Sequence, residues 1–476
     1  MSTPDRQNKE YDIAVIGGGS GGYAAARTAA SEGLNTVVID GADELGGLCI
    51  LRGCMPSKTL IESANRNLVI REAEEFGLRA EAGEPDTHAI IARKRRLIKD
   101  FSDYRAEQLQ DGRFDLIRGH ARFTDPHTLE IKPRDGSEVF SISAKSTIIA
   151  TGSTIAVPDI SGLEETGYIT SDDVLDQEEV PESVIVLGGG AIALEMAHYY
   201  EGIGKKVTVI QRSEHLLSGM DNDLADTLQE ALEARGLKIF CGTSIQQVET
   251  TEDGLKKVTF KHGDKETHVE AQEILCALGR KPNTEHLQTD KAGIELDKGK
   301  IAVDKAMQSS CDHIFGAGDV ASPFEIVHIA IDQGEKAATN AAKLLRGESA
   351  DSFLQMDYRM KLYGIFTEPQ VAAVGINEIE AEEKGIKVLV ESYPFNDHGK
   401  SMVHGTEHGF VKLIADAESK EILGGSVVGP EATELIHEIV VAMAFHATAG
   451  QLATIPHYHP TLSEIWTYPA EDIADA

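Results

Sequence analysis

The chain has 476 residues, 41% hydrophobic and 26% charged, with 78 acidic side chains against 45 basic ones and a formal net charge of −33. Such a length suggests about three domains, and the acidity argues against nucleic acid and anionic membrane surfaces as partners. No run approaches the ~18 consecutive apolar residues of a membrane span, and the opening MSTPDRQNKEYD lacks the apolar h-region of a signal peptide.

Five cysteines, three of them scattered at Cys241, Cys276 and Cys311, do not make a secreted disulfide framework. The expected compartment is therefore reducing and cytoplasmic, where a disulfide tends to be catalytic. The scattered three are expected to be buried packing. The acidity suits a salt-rich cytoplasm and equally an ordinary acidic housekeeping enzyme.

From Tyr11 to Asp40 the chain reads as a short apolar strand, a glycine cluster, a small-residue helix and a second strand. Gly17 permits the tight turn, Gly19 lets the backbone approach a pyrophosphate, and Gly22 lets helix and strand pack closely. The helix N-terminus attracts phosphates. Asp40, ending the second strand, can accept hydrogen bonds from ribose hydroxyls.

Next comes GGLCILRGCMPSK, Gly46 to Lys58, with Cys49 and Cys54 separated by four residues. A structural disulfide does not need a preceding glycine pair and a following Pro-Ser-Lys; a thiol pair cycling beside a cofactor does. A packed pair, a structural disulfide and a metal site are the competing readings. The spacing is unlike close-spaced zinc pairs and no second pair exists, so no metal is expected.

STIIATGS, Ser146 to Ser153, looks like the return strand of the first nucleotide domain. From Ser183 to Gln211 the βαβ plan recurs, with Gly188, Gly190 and Ala193 at the matching positions. One glycine motif is weak evidence; two copies, each with a strand before and a helix after, are strong. ILCALGRKPN follows, then CDHIFGAGDV, which delivers Asp319 at a strand end, suited to a ribose or polyol chain.

From about Asp351 the texture changes to antiparallel strands, as in GFVKLIADAESKEILGGSVVG, and the helix ATELIHEIVVAMAFHA. The predicted fold class is α/β: two Rossmann-like βαβ nucleotide-binding domains plus a C-terminal α+β dimerisation domain. Near the end, HPTLSE pairs a base, His459, with an acid, Glu464, that can orient it. His398, His404 and His408 read as surface histidines.

Together these motifs resemble the flavin-dependent pyridine nucleotide–disulfide oxidoreductases, from Tyr11 to about Trp466. Within that group the chain is most similar to the dihydrolipoamide dehydrogenases, with Pro56-Ser57-Lys58 after the second cysteine, FTEPQVAAVG and HPTLSE. The resemblance implies an FAD domain at 1–152, an NAD(P) domain at 153–275, a central domain completing the FAD site at 276–350 and an interface domain at 351–476.

It implies that Gly17, Gly19, Gly22 and Asp40 hold the adenosine half of FAD, with Thr151, Gly152, Asp319 and His328 on the flavin side. Gly188, Gly190, Ala193, Gln211, Arg212 and Gly279 would serve NAD(P). Lys58, near the flavin, would pair with Glu195. Cys54 would touch the flavin and Cys49 would exchange with substrate. His459, held by Glu464, would be the base, supplied by the other subunit of a homodimer. His457 is either a second functional group or a hydrogen-bonding neighbour.

Four departures from the relatives stand out. Leu48 replaces a threonine before the first cysteine. Arg52 lies between the cysteines, where it could favour thiolate or attract an anionic substrate. Ala191 replaces a larger residue that shields the flavin. Gln211, 23 residues after Gly188 as Asp40 is after Gly17, replaces an acid and is followed by Arg212. That leans to NADPH without excluding NADH.

The expected substrate is dihydrolipoamide or a protein-bound lipoyl group, with a lipoyl-bearing protein or 2-oxo acid dehydrogenase complex as partner. The alternative enzyme is an NADPH-dependent reductase of a glutathione-like disulfide. A mercuric reductase is disfavoured because no cysteine follows Cys311. From another class come a docking subunit and a flavin redox sensor.

Overall fold

The computed structural model describes residues 9–476; most of the N-terminal stretch read above for a signal peptide lies outside them. The chain divides into two compact units. The first holds the chain up to Pro56, Ala92–Ala156 and Arg280–Asp357; the second holds Ser57–Ile91, Val157–Gly279 and Tyr358–Ala476.

The first unit is built on β1 (Glu10–Ile16), α1 (Ser20–Ser31), β2 (Thr36–Asp40), α2 (Gly47–Leu51) and the start of α3 (Cys54–Arg71). The end of α4 (Thr87–Leu109) and β3 (Asp115–Asp125), β4 (Thr128–Pro133) and β5 (Phe140–Ile149) follow. Strands β3, β2, β1, β5 and Ile314–Gly316 pair in parallel in that order, while β4 runs antiparallel to β3 and β5. All five residues of β2 are buried, which explains the apolar Val37-Val38-Ile39 at its centre. Tyr11, Phe123, Leu129 and Ile131 fill the core on one side.

The helix Val327–Leu345 crosses α1 at small residues. A Cβ on Gly21 would lie 2.9 Å from the Ala330 carbonyl oxygen, and one on Gly334 would strike the Gly21 carbonyl. Close helix contact therefore places the start of Val327–Leu345 beside the start of α1.

In the second unit β6 (Ser183–Leu187) lies between Glu273–Cys276 and β7 (Lys206–Ile210), all parallel, with Lys238–Phe240 beyond β7. The helix α5 (Ala191–Gly202) is buried from Ala193 to Gly202. Its end abuts α3, where a Cβ on Gly202 would sit 2.7 Å from the Ala64 Cβ. Thr243–Thr250, Lys256–His262 and Lys265–Ala271 form an antiparallel sheet.

The C-terminal sheet is antiparallel and five-stranded, and includes Phe410–Asp416 against Ile422–Gly429. The helix Ala432–Ala444 packs on it, and Trp466 is buried, donating its indole N–H to the Leu435 carbonyl at 3.1 Å. Buried Lys412 gathers Asp221, Asp223 and Glu378 at 3.3, 2.6 and 2.5 Å, so an ammonium group sits at that acidic convergence. Among the described residues no helix is long and apolar enough to cross a membrane.

Candidate functional site

The first glycine turn joins β1 to α1. Gly17 has φ +106°, a left-handed conformation that favours glycine. A Cβ on Gly22 would strike the Gly17 carbonyl oxygen, so only glycine lets the helix sit this close. Gly19 caps α1 and has no side chain to occupy the first-turn amides, the arrangement that receives a phosphate. Asp40, 6% exposed, accepts the Gly18 N–H at 2.8 Å and the Ala42 N–H at 2.9 Å. A carboxylate accepts about four bonds, so capacity remains for ribose hydroxyls.

The second turn repeats the geometry with other chemistry. Gly188 has φ +118°, Ala193 is buried, and Gly190 caps α5 facing open space. Gln211 occupies the place of Asp40: a Cβ on Gly189 would lie 3.0 Å from the Gln211 Cδ. The Gln211 amide donates to the Ser218 hydroxyl at 3.3 Å and accepts the Arg212 N–H at 3.2 Å. Arg212 and Ala191 are exposed. Gly279, with φ +119°, also borders open space. Both glycine turns therefore leave room for a dinucleotide.

Between the cysteines the chain makes one tight turn. Cys49 lies in α2 and Cys54 opens α3; both are half-buried. The Arg52 N–H donates to the Leu48 carbonyl at 2.9 Å, and a Cβ on Gly53 would lie 3.3 Å from the Cys49 Cα. Leu48 is half-buried and Arg52 exposed. A Cβ on Gly47 would strike the Gly19 Cα, so the cysteine segment is seated directly on the phosphate-type turn.

Arg105, not singled out in the sequence, belongs to the same region. Its guanidinium lies 4.2 Å from the Tyr23 ring centroid. Its buried Nε and Nη1 have no hydrogen-bond partner among the described residues. Burial lowers its pKa, with Tyr23 and then Cys49 acting in the opposite direction. It sits on an amphipathic helix rich in basic residues, so nothing in the local sequence distinguishes it.

On the flavin side of the expected site, the Ser153 hydroxyl donates to Asp319 at 2.6 Å, and Arg280 Nε donates to Ser153 at 2.7 Å. The Gly318 N–H donates to buried Gln333 at 2.9 Å. Thr151 donates its hydroxyl to the Asn283 carbonyl at 2.7 Å, and Gly152 borders open space. His328 is exposed in the first turn of Val327–Leu345.

In the second unit Lys58 pairs with both oxygens of Glu195, at 2.9 and 2.8 Å, and lies 4.5 Å from the Phe366 ring centroid. The Phe366 N–H also donates to Glu195, at 3.2 Å.

His459 Nδ1 meets Glu464 Oε2 at 3.1 Å, and the imidazole is 79% exposed. His457 is instead tucked in, with Nε2 2.6 Å from Glu438 and Nδ1 2.9 Å from the Ile455 carbonyl. His404 and His408 are exposed. His398 overturns its expected surface position: it is fully buried, with Nδ1 2.8 Å from the Ser401 hydroxyl and Nε2 3.5 Å from Glu464 Oε1. Its flanking Asp, Gly and Lys gave it a polar look, but the loop folds inward there.

Of the scattered thiols, Cys276 is buried. Cys241 and Cys311 are half-buried, contacting Gln229 and the Ala292 carbonyl. Burial pushes the Cys241 thiol up to about 11.

Residues 11–334 match the pyridine nucleotide-disulphide oxidoreductase family, and residues 363–470 match its dimerisation domain. A dihydrolipoyl dehydrogenase of Thermus scotoductus is 36% identical over 465 residues, covering 96% of each chain. A mercuric reductase of Bacillus cereus is 31% identical, over 98% of this chain and 72% of that protein. A solved structure, the Cu(II) complex of the HOCl-induced flavoprotein disulfide reductase RclA from Escherichia coli, superposes with a TM-score of 0.83. It is 26% identical and covers 97% of this chain and 99% of its own. With both glycine turns open to a dinucleotide and the cysteine turn seated on the first, the chain belongs to the pyridine nucleotide–disulphide oxidoreductases, enzymes that bind FAD and NAD(P).

Proposed function

We propose that this enzyme passes electrons between a dithiol/disulfide substrate and NAD(P)(H), with dihydrolipoamide or a protein-bound lipoyl group as the dithiol. The observation that carries this reading is the cysteine turn packed on Gly19, which would keep a redox pair beside a nucleotide site. The similarity to dihydrolipoyl dehydrogenases supports the substrate. Gly17, Gly19, Gly22, Asp40, Thr151, Gly152, Asp319 and His328 would hold FAD. Gly188, Gly190, Ala193, Gln211, Arg212 and Gly279 would hold NAD(P), and Lys58 would be kept in place by Glu195. Bound FAD supplies the two-electron link between the nicotinamide and the cysteine pair.

The rest is thiol chemistry. His459 takes a proton from one substrate thiol at its exposed Nε2, because Nδ1 faces Glu464. The thiolate attacks Cys49 of the Cys49–Cys54 disulfide; the S–S bond breaks and Cys54 leaves as thiolate. The second substrate thiol attacks the mixed disulfide, releasing oxidised substrate and the Cys49 thiol. The substrate loses two electrons and two protons, and the cysteine pair gains the electrons.

The dimer is supported by exposed apolar side chains in the C-terminal segment, among them Phe445 at 82% and Tyr458 at 84%. In that dimer His459 serves the cysteines of the other chain.

A second reading, reduction by NADPH of an anionic disulfide of the glutathione type, is favoured by Arg105 and Arg52 near Cys49 and by Gln211 and Arg212. Initial rates with dihydrolipoamide, oxidised glutathione and other disulfides, each with both nicotinamide cofactors, separate the two. Turnover of oxidised glutathione with NADPH and none of dihydrolipoamide would sink the first reading.

A further inference from the structure

We propose that His398 is a positioning residue for the His459 base, facing the second oxygen of the carboxylate that orients it. This rests on the reading of His459 as the base in thiol–disulfide exchange. Glu464 is 12% exposed and points its two oxygens at two histidines: Oε2 to His459 Nδ1 at 3.1 Å, Oε1 to His398 Nε2 at 3.5 Å. His459 is an exposed ring with one such anchor, so its orientation is only as fixed as Glu464 is.

The surroundings select the form of His398. Facing it are Glu464, Ser401 and the edge of Tyr468, whose ring centroid is 6.4 Å away; His459 acts on it from the far side of the carboxylate. Tyr468 in turn stacks on Tyr393, whose hydroxyl donates to Asp397 at 3.0 Å. A bare Nε2 lone pair facing a carboxylate would be repelled. The stable tautomer therefore carries its proton on Nε2 and accepts the Ser401 hydroxyl at Nδ1.

Burial lowers the pKa of His398, Glu464 acts to raise it, and His459 acts to lower it. One carboxylate then faces two imidazoles, of which His459 takes the catalytic proton while His398 stays neutral with its Nε2 beside the other carboxylate oxygen. At 3.5 Å this is an electrostatic contact and not a formed hydrogen bond: the buried Nε2 has no hydrogen-bond partner among the described residues. It acts by turning the carboxylate and by drawing part of its charge away from His459. Loss of the His398 donor frees Glu464 to rotate and concentrates its charge on the His459 side. The first effect slows exchange; the second strengthens the pull of Glu464 on a charged His459.

The test uses the FAD-loaded full chain and the thiol–disulfide half-reaction, with NAD(P)H reduction of the flavin as the internal reference. His398→Leu should slow exchange about tenfold, well inside the ~10²–10⁴ of a whole base. It should also move the acidic limb of the pH profile upward and leave flavin reduction as in the wild type. His398→Gln, whose amide can still donate toward Glu464, should recover most of the rate and the original limb. Where His398→Leu does not fold, Ser401→Ala decides, with a smaller shift of the limb in the same direction. An unchanged limb in His398→Leu, or in Ser401→Ala where that variant decides, overturns the positioning role. If His459→Gln itself leaves exchange intact, the reading of the base fails first, and the role of His398 with it.

Discussion

Replacing Lys58 by Met removes the side-chain cation that, among the described residues, pairs with Glu195. The Glu195 side chain is 6% exposed, and both its oxygens lie within 2.9 Å of the ammonium. Without Lys58 the carboxylate keeps the Phe366 N–H at 3.2 Å and little solvent. Breaking a buried pair by removing one partner costs about 3–5 kcal/mol. The Lys58 side chain is 29% exposed, so water reaches the vacated end and the expected loss is nearer ~2–3 kcal/mol. The assay is urea unfolding of FAD-loaded protein at one fixed protein concentration, comparing wild type, Lys58→Met, Glu195→Leu and the double variant. Lys58→Met should be less stable than the double variant, because the double variant leaves no uncompensated charge. A loss below about 1 kcal/mol in Lys58→Met, or additive losses across the four proteins, would refute the argument.

Four further outcomes are expected. Cys54→Ser should retain FAD yet lose long-wavelength thiolate–flavin absorption, whereas Cys49→Ser should keep that absorption and stop thiol exchange; the opposite pattern in spectra would reverse the order of the thiols. Gln211→Glu should shift preference toward NADH, and Arg212→Ala should raise KM for NADPH more than for NADH; equal changes would show that neither residue reads the ribose 2′ position. His459→Gln should cost ~10²–10⁴ in thiol turnover, and mixed dimers of Cys49→Ser and His459→Gln chains should recover activity; heterodimers as dead as their parents would place base and thiols in one subunit. Burial, and then Arg235, hold His198 down to about 3 from its ordinary 6.5. Native His198 thus stays neutral while the unfolded chain gains a proton below pH 6.5. Wild type should lose stability relative to His198→Gln by up to about 1.4 kcal/mol per pH unit as pH falls, and parallel stability curves would contradict this.

Much of the molecule is written locally. The glycines at 17, 19, 22, 188 and 190 and the strands and helices beside them follow from residue type and period, because turn conformation and amphipathic pattern are short-range properties. The Cys49–Cys54 run and the His459–Glu464 pair are legible for the same reason, each lying within one turn or one short loop. The identity of Gln211 was equally plain, since it needs only a count from Gly188.

Partnerships of buried polar groups were decided by tertiary structure. Glu195 finds Lys58 137 residues away, and Arg280 finds Ser153 127 residues away. Arg105 lies among several similar basic residues on α4, and only packing against Tyr23 sets it apart. His398 looked like a surface histidine until the fold closed over it and aimed it at Glu464. The physical reason is the same in each case. Local sequence sets backbone shape, but which charge or donor loses its water depends on which distant surface covers it, and that desolvation selects the partner.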